Sequence, residues 1–242
     1  MFNTFFFKPL YNGLIFLMDN LPFLDAGWAV VLFTIIVKLV LFPLTRSSVI
    51  TQLKMKKYGG ELEELKKKYT NKQELALKTM QFYKEKNIRP FSSFFLILIQ
   101  FPIIIALFLV FKNGFPIVNG EQLYSFVHIP ALVNPLFLGL IHVSSKSWIL
   151  ALLAAVTYFF QVKFSMPVTP KKEGATRTFQ DDFARSMQIQ MKYMMPFIIF
   201  FIAYSASAAV ALYWATSNLF TIGQELVIRR KFTKENQDNV KK

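Results

Sequence analysis

Cysteine is absent from this 242-residue chain. That excludes disulfides, thiolate metal sites and lipid attachment at a cysteine. Acidic residues are scarce, 14 Asp and Glu against 28 Lys and Arg, and none falls in the long apolar runs before Glu225. Proton or cation relay by intramembrane carboxylates is therefore poorly supported. No GxxxxGK[ST] run occurs, so a phosphate-cradling loop is not expected. His128 and His142 lack metal-ligand spacing, and no nucleophile is accompanied by a base. These absences argue against an enzyme, and no cofactor is expected. The opening MFNTFFFKPLYNG has neither a basic n-region nor a small-residue cleavage site, so it does not read as a signal peptide.

What is present is hydrophobic. The chain is 54% apolar, carries 28 Phe and has a mean hydropathy of +0.38. A soluble domain of this length is usually less apolar, and long apolar runs are read as membrane spans. The net charge of +14 would suit nucleic acid, but its distribution does not. Between Thr45 and Arg89 stand 12 Lys/Arg against 5 Asp/Glu. From Lys163 to Lys192, and again from Glu225 to Lys242, there are 6 against 3. Lys38 adds one charge and the remainder cancels. Three basic segments between apolar runs are the positive-inside pattern, and no specific reading of nucleic acid is expected.

The runs then place themselves. Span 1 covers 26–45, span 2 covers 91–112 and span 3 covers 147–165, with an external segment at 113–146 and a cytoplasmic loop at 166–192. After Lys192 no charge appears until Glu225, longer than the ~20 residues one span needs. Keeping the basic tail on the same side as the loop requires two crossings, 193–206 and 207–228, with a turn near Ser205-Ala206-Ser207-Ala208. One long tilted helix is the alternative, and it would put Arg229, Arg230 and Lys231 outside. The fold class is thus all-α and integral to the membrane, with five transmembrane helices, the N-terminus outside and the tail 229–242 cytoplasmic. Residues 1–25, interrupted by Lys8, Pro9, Gly13 and Asp19, read as a helix in the outer interface, with a sixth span as the alternative.

Residues 46–90 read as a cytoplasmic helical hairpin. Leu62, Leu65 and Tyr69 share one face at i, i+3, i+7. Gly59-Gly60 breaks the first helix, Asn71 with Glu74 forms a capping box, Leu75, Thr79 and Phe82 make the second helix's less polar stripe, and Pro90 closes the unit. Two amphipathic helices are more than a spacer needs, which favours a working surface.

Polar residues sit at depth in the spans. Lys38 lies ten residues after Trp28, about 15 Å of helix rise, where an ammonium costs roughly 2.5–3.5 kcal/mol on insertion scales. Snorkelling would reduce that cost, but Arg46 already stands at the boundary as an anchor. Gln100, Tyr158, Gln161, Ser205, Ser207, Tyr213, Thr216, Ser217 and Asn218 are also at depth. Such side chains face a neighbouring helix or water, seldom lipid. For the Ser and Thr residues interhelical hydrogen bonding is the simpler reading; Gln100 and Gln161 with Lys38 suit a shared wet cavity equally well.

TIIVKLVLFPLT, the hairpin LEELKKKYTNKQELALKTMQFYKEKNIRP, LILIQFPIIIALF, SWILALLAAVTYFFQVKFS and MMPFIIFFIAYSASAAVALYWATSNLFTIGQELVIRR, in this order, resemble the YidC family of membrane-protein insertases and its mitochondrial and chloroplast relatives. The departures are a lysine, Lys38, where the family's groove residue is commonly arginine, Gly59-Gly60 where the hairpin is usually more helical, a short tail, and neither the large external domain nor the lipoprotein cysteine of some members. The resemblance implies a hydrophilic groove among the spans, open to cytoplasm and lipid and closed outside, lined by Lys38, Thr34, Gln100, Tyr158, Gln161, Tyr213, Ser217 and Asn218. It implies insertion of client proteins at a bacterial cytoplasmic membrane, with nascent membrane proteins, the bilayer, the ribosome and the general secretion channel as partners. Client or ribosome contact falls to Leu62, Leu65, Tyr69, Arg229, Arg230 and Lys231. From other classes, a small-solute transporter or channel using Lys38 as an anion site, and a non-inserting assembly scaffold, remain the competing readings.

Overall fold

The structure, a computed structural model, describes residues 1–23, 25–69, 71–89, 91–112, 120–165, 186–187 and 189–240. Pro90, residues 113–119 and most of the loop expected at 166–192 lie outside the described residues. The chain forms two compact units, one of residues 1–40 and 100–222, the other of 41–99 and 223–242.

In the first unit a π-helical turn, Asn3–Phe7, leads into α1, Lys8–Asn20. Pro9 does not interrupt this helix; it sits in the first turn, where its missing N–H has no intrahelical partner to lose. Tyr11, Leu14, Ile15 and Met18 form a buried stripe at i, i+3, i+4, i+7, and α1 packs on α2, Ala26–Val40. Gly13 permits the approach, because a Cβ there would come within 2.8 Å of the Phe33 ring. Buried Asn12 uses both ends of its amide: Nδ2 donates to the carbonyls of Lys8 (2.8 Å) and Gln122 (2.9 Å), and Oδ1 accepts from Tyr124 N–H at 2.7 Å.

A β-hairpin not expected from the sequence lies between the apolar runs. Its strands, β1 Leu136–Phe137 and β2 Ile141–His142, pair antiparallel with Phe137 opposite Ile141. Leu138 and Gly139 carry positive φ in its turn, 53° and 70°. The segment around it ties together two helix starts. Asp25 caps α2, accepting from Trp28 N–H at 2.8 Å, while its other oxygen accepts from Leu138 N–H at 2.9 Å. Ala26 N–H donates to the Asn134 carbonyl at 2.9 Å. The Phe137 ring lies over Gly27 so closely that any Cβ would overlap it.

The remaining helices of this unit are α6, Ser92–Lys112, of which residues from Gln100 onward belong here, α7, Trp148–Ser165, α8, Met195–Ser205 (entered through a π-helical turn, Gln190–Met194), and α9, Ala208–Val240, through Ile222. Helix stops at Ser205 and restarts at Ala208, within the stretch where the sequence predicts a turn. The start of α9 needs partners for its orphan N–H groups, and the hairpin segment supplies them: Ala208 N–H donates to Ser145 at 2.7 Å and Ala209 N–H to Val143 at 2.9 Å. From Ala208 to Tyr213 this helix is buried on every side, as a central helix must be. Its neighbours are inside out by the standard of a soluble protein. Phe197, Phe201, Trp148, Leu152, Val156 and Phe160 are exposed, while Ala151, Ala154, Ala155, Thr157 and Ala203 are buried. Small residues let helices approach closely where lipid, not water, is outside.

The second unit holds α3, Phe42–Lys57, α4, Gly59–Lys68, α5, Lys72–Glu85, the start of α6 and the end of α9. Where the sequence suggests one helix through 26–45, the chain breaks after Val40 and restarts at Phe42. Pro43 accounts for this, since it cannot bond the carbonyl four residues back and its ring clashes there; in the first turn of α3 it is harmless. The next break is at Tyr58, and Gly59-Gly60 open α4 rather than end α3. Asn71 caps α5, its Oδ1 accepting from Gln73 and Glu74 N–H. The far end of α5 closes on Asn87, left-handed at φ 50°, with Ile88 N–H donating to Tyr83 and Asn87 N–H to Lys84, the Schellman arrangement. Lys54 Nζ then donates to the carbonyls of Lys86 and Asn87, both at 3.0 Å. Lys86 pairs with Glu61 at 2.7 Å and lies over the Tyr58 ring. The α9 helix continues to Val240, so the described part of the expected tail is helical.

Among the described residues, α7 alone has the length and hydropathy of a full span; α2 and α3 reach them only taken together.

Candidate functional site

Lys38 occupies the last turn of α2 and is 8% exposed, while Ile36, Leu39 and Val40 beside it are 40%, 56% and 72% exposed. Charge inside and hydrocarbon outside is the reverse of a water-soluble helix. The break after Val40, unforeseen in the sequence, leaves carbonyls at the end of α2 without helical partners, and a cation in that last turn is stabilised by the dipole. Thr34, one turn earlier on the same face, is fully buried. Its hydroxyl donates to the Val30 carbonyl at 2.6 Å, so its polarity is spent on its own helix.

The other residues expected in the groove fall into separate groups. Gln100 Nε2 donates to the Tyr213 hydroxyl at 2.6 Å, joining α6 to α9, and Ser217, one turn on, is buried. Tyr213 is 1% exposed, so this network lies deep in the unit. Asn218 belongs to a second group: its Nδ2 donates to the Ala154 carbonyl and to Thr157 Oγ1, both at 3.2 Å. That clasps α9 to α7, the interhelical role the sequence offers for such residues. Tyr158 and Gln161, i and i+3 on α7, are half-buried.

Thr157 was not singled out in the sequence, because its partner is 61 residues away and nothing local marks it. Asp25 was legible in principle, as an acidic residue just ahead of a helix start.

Of the residues expected at the cytoplasmic surface, Leu62 and Leu65 on α4 and Tyr69 just past its end are half-buried, and α4 packs against α5. The exposed large apolar side chains of α5 are Leu77 and Met80, on neither stripe drawn from the sequence. Arg229 bonds the buried Glu225 at 3.4 Å, an i, i+4 pair legible as such. Arg230 and Lys231 are exposed. Among the described residues no group of three or more His, Asp or Glu side chains comes together as a metal site would require.

Comparison with known proteins covers nearly all of this architecture. A family model described as the 60Kd inner membrane protein matches residues 17–236. A membrane protein insertase YidC of Clostridium tetani is 30% identical over 226 residues, 93% of this chain and 90% of the relative. One of Campylobacter jejuni is 30% identical over 96% of this chain, which spans only 39% of that longer relative. One of Fusobacterium nucleatum is 31% identical over 85% of this chain and 86% of its own length. A crystal structure of an active YidC insertase with its first transmembrane domain resolved is similar in fold, with a TM-score of 0.53 at 22% identity over 90% of this chain and 45% of that one.

Proposed function

The chain belongs to the 60Kd inner membrane protein family of YidC insertases, and we propose that it is itself an insertase, moving short polar external segments of client proteins past a cationic intramembrane groove and releasing their apolar helices into lipid. The observation that carries this reading is Lys38, held inside a helix turn where Ile36, Leu39 and Val40 are exposed.

The reading places five spans at 26–45, 91–112, 147–165, 193–206 and 207–228, with the N-terminus outside and the three basic segments in the cytoplasm of a bacterium. Lys38 then stands near mid-depth on the wall of a groove open below and closed above. A client's polar segment must cross hydrocarbon, and a wet groove shortens the dry path. Two unit charges at 4 Å attract by about 4 kcal/mol at an effective dielectric of 20 against about 1 in water, so an ammonium in the groove draws acidic residues of the segment inward. The membrane potential assists each negative charge moving outward by about 2.3 kcal/mol per 100 mV. The client's helix then gains roughly 0.3–0.6 kcal/mol per strongly apolar residue on entering lipid. No nucleotide is required. Gln100 and Gln161 supply neutral hydrogen-bonding groups to the passing segment, and the hairpin 46–90 receives the client through Leu62, Leu65 and Tyr69. Client or ribosome contact through Arg229, Arg230 and Lys231 completes the reading.

A photo-crosslinker at position 100 or 161 tests it. Capture of a stalled nascent membrane protein is expected, and capture of folded partners alone would replace the insertase by a scaffold. Solute flux across vesicles holding the protein with no client would instead favour a channel.

A further inference from the structure

Within the second unit, one face of α3 and one face of α9 line a cleft of about 260 Å³, of which the insertion mechanism uses Lys231 alone. Phe42, Arg46 and Ile50 recur every four residues along α3. On α9 the lining is Val227, Ile228, Lys231, Phe232 and Glu235, also one helix face. The walls are apolar and the polar groups are three: two exposed cations, Arg46 and Lys231, and one exposed carboxylate, Glu235. Arg229, already bonded to Glu225, is not among them.

We propose that this cleft binds an anionic phospholipid of the cytoplasmic leaflet, its phosphodiester on Arg46 and Lys231, the upper part of an acyl chain against Phe42, Ile50, Ile228 and Phe232, and a headgroup hydroxyl donating to Glu235. The net charge of the lining, two cations and one anion, complements a lipid bearing a single negative charge. Backbone chemistry argues against a peptide. An extended segment would bring backbone N–H and C=O groups against five apolar side chains that cannot bond them. An acyl chain makes no such demand, and basic clefts between helices at the cytoplasmic face suit lipid headgroups. From the function proposed above the assignment takes only the side of the membrane, which cysteine accessibility at position 235 tests separately from client insertion.

The experiment uses the full chain in phosphatidylcholine vesicles with a trace of phosphatidylglycerol carrying a photoactivatable acyl chain. Labelled peptides are expected within 42–50 and 227–235, with competition by unlabelled phosphatidylglycerol and little by phosphatidylcholine. Arg46→Gln with Lys231→Gln should lower labelling roughly tenfold, since each juxtamembrane cation contributes measurably to anionic-lipid attraction. Arg46→Lys with Lys231→Arg should keep most of it, and an unchanged thermal transition will separate lost binding from lost fold. Labelling unchanged by the double Gln variant, or competed equally by phosphatidylcholine or phosphatidylethanolamine, overturns the proposal. A crosslinker at position 50 that captures a client chain in place of lipid also overturns it.

Discussion

Lys38 asks for an explanation because each of its alternatives is cheaper. A leucine there would cost nothing in lipid, and an arginine would be a constant charge with a bidentate fork. What the proposed mechanism needs from this residue is attraction for a carboxylate at depth, which either cation supplies. In proteoliposomes, Lys38→Ala is expected to slow insertion of a client with a short acidic external segment by about ten- to a hundredfold, the worth of one charge-assisted interaction of roughly 1.5–3 kcal/mol. Lys38→Glu should slow it further by repulsion, and Lys38→Arg should stay near wild type. Equal insertion by all three variants would remove Lys38 from the mechanism. A second residue, Gly27, owes its identity to packing alone. Gly27→Ala puts a methyl into the Phe137 ring, and overpacking of this kind costs about 1–3 kcal/mol. The thermal transition in detergent should fall, and adding Phe137→Ala should return part of it. If the double variant is no more stable than the sum of the two losses, the contact is not the cause.

Elements are held here by caps more than by ladders. The hairpin of the second unit depends on Lys54, whose ammonium bonds two carbonyls at the end of α5. Lys54→Ala leaves them to water and should speed amide hydrogen exchange over residues 84–88, while exchange in α7 stays as it was; protection unchanged at 84–88 would show that the Asn87 turn closes alone. The neighbouring Lys86–Glu61 pair works in the same place. The hydrogen bond it donates to Glu61 holds the Lys86 ammonium above the ordinary value of 10.5, so at neutral pH its contribution is complete, and it is lost as pH rises through the raised value. Exchange at neutral pH therefore reports Lys54 without interference from Lys86. Much of this level was legible in the sequence, because it is written locally: the Asn71 cap, the helix break between Ser205 and Ala208, the apolar runs. The break ahead of Pro43 was legible too, but the hydrophobicity of 26–45 outweighed it. What could not be read is held by distant partners. Asp25 with Leu138, Asn12 with Tyr124 and Asn218 with Thr157 each join residues more than 60 positions apart, and a two-residue strand pair carries no periodicity to detect. The same limit divided the expected groove residues at Asn218, whose amide is spent on α7, whereas Thr34 spends its hydroxyl locally on the carbonyl four residues back.

At the scale of the whole molecule the distribution of charge matters more than its sum. In the proposed topology three basic segments set which side of the membrane each element faces, and the field across that membrane then acts on the client, not on the protein. In this mechanism the driving force should scale with the client's own charge. With the inside negative at 100 mV, an external segment carrying two carboxylates gains about 4.6 kcal/mol in crossing and a neutral segment gains none. Collapsing the potential in proteoliposomes is accordingly expected to slow the acidic client by orders of magnitude and leave the neutral one nearly unchanged, with the wild-type protein throughout. Lys38 contributes at a different point. It lowers the energy of the carboxylate part-way across, so Lys38→Ala should slow the acidic client by the same factor with or without the potential. If instead the loss from Lys38→Ala disappears when the potential is collapsed, residue and field act in one step, and the ammonium would be sensing the potential itself. Rates from the four combinations of residue and potential, for each of the two clients, separate the cases.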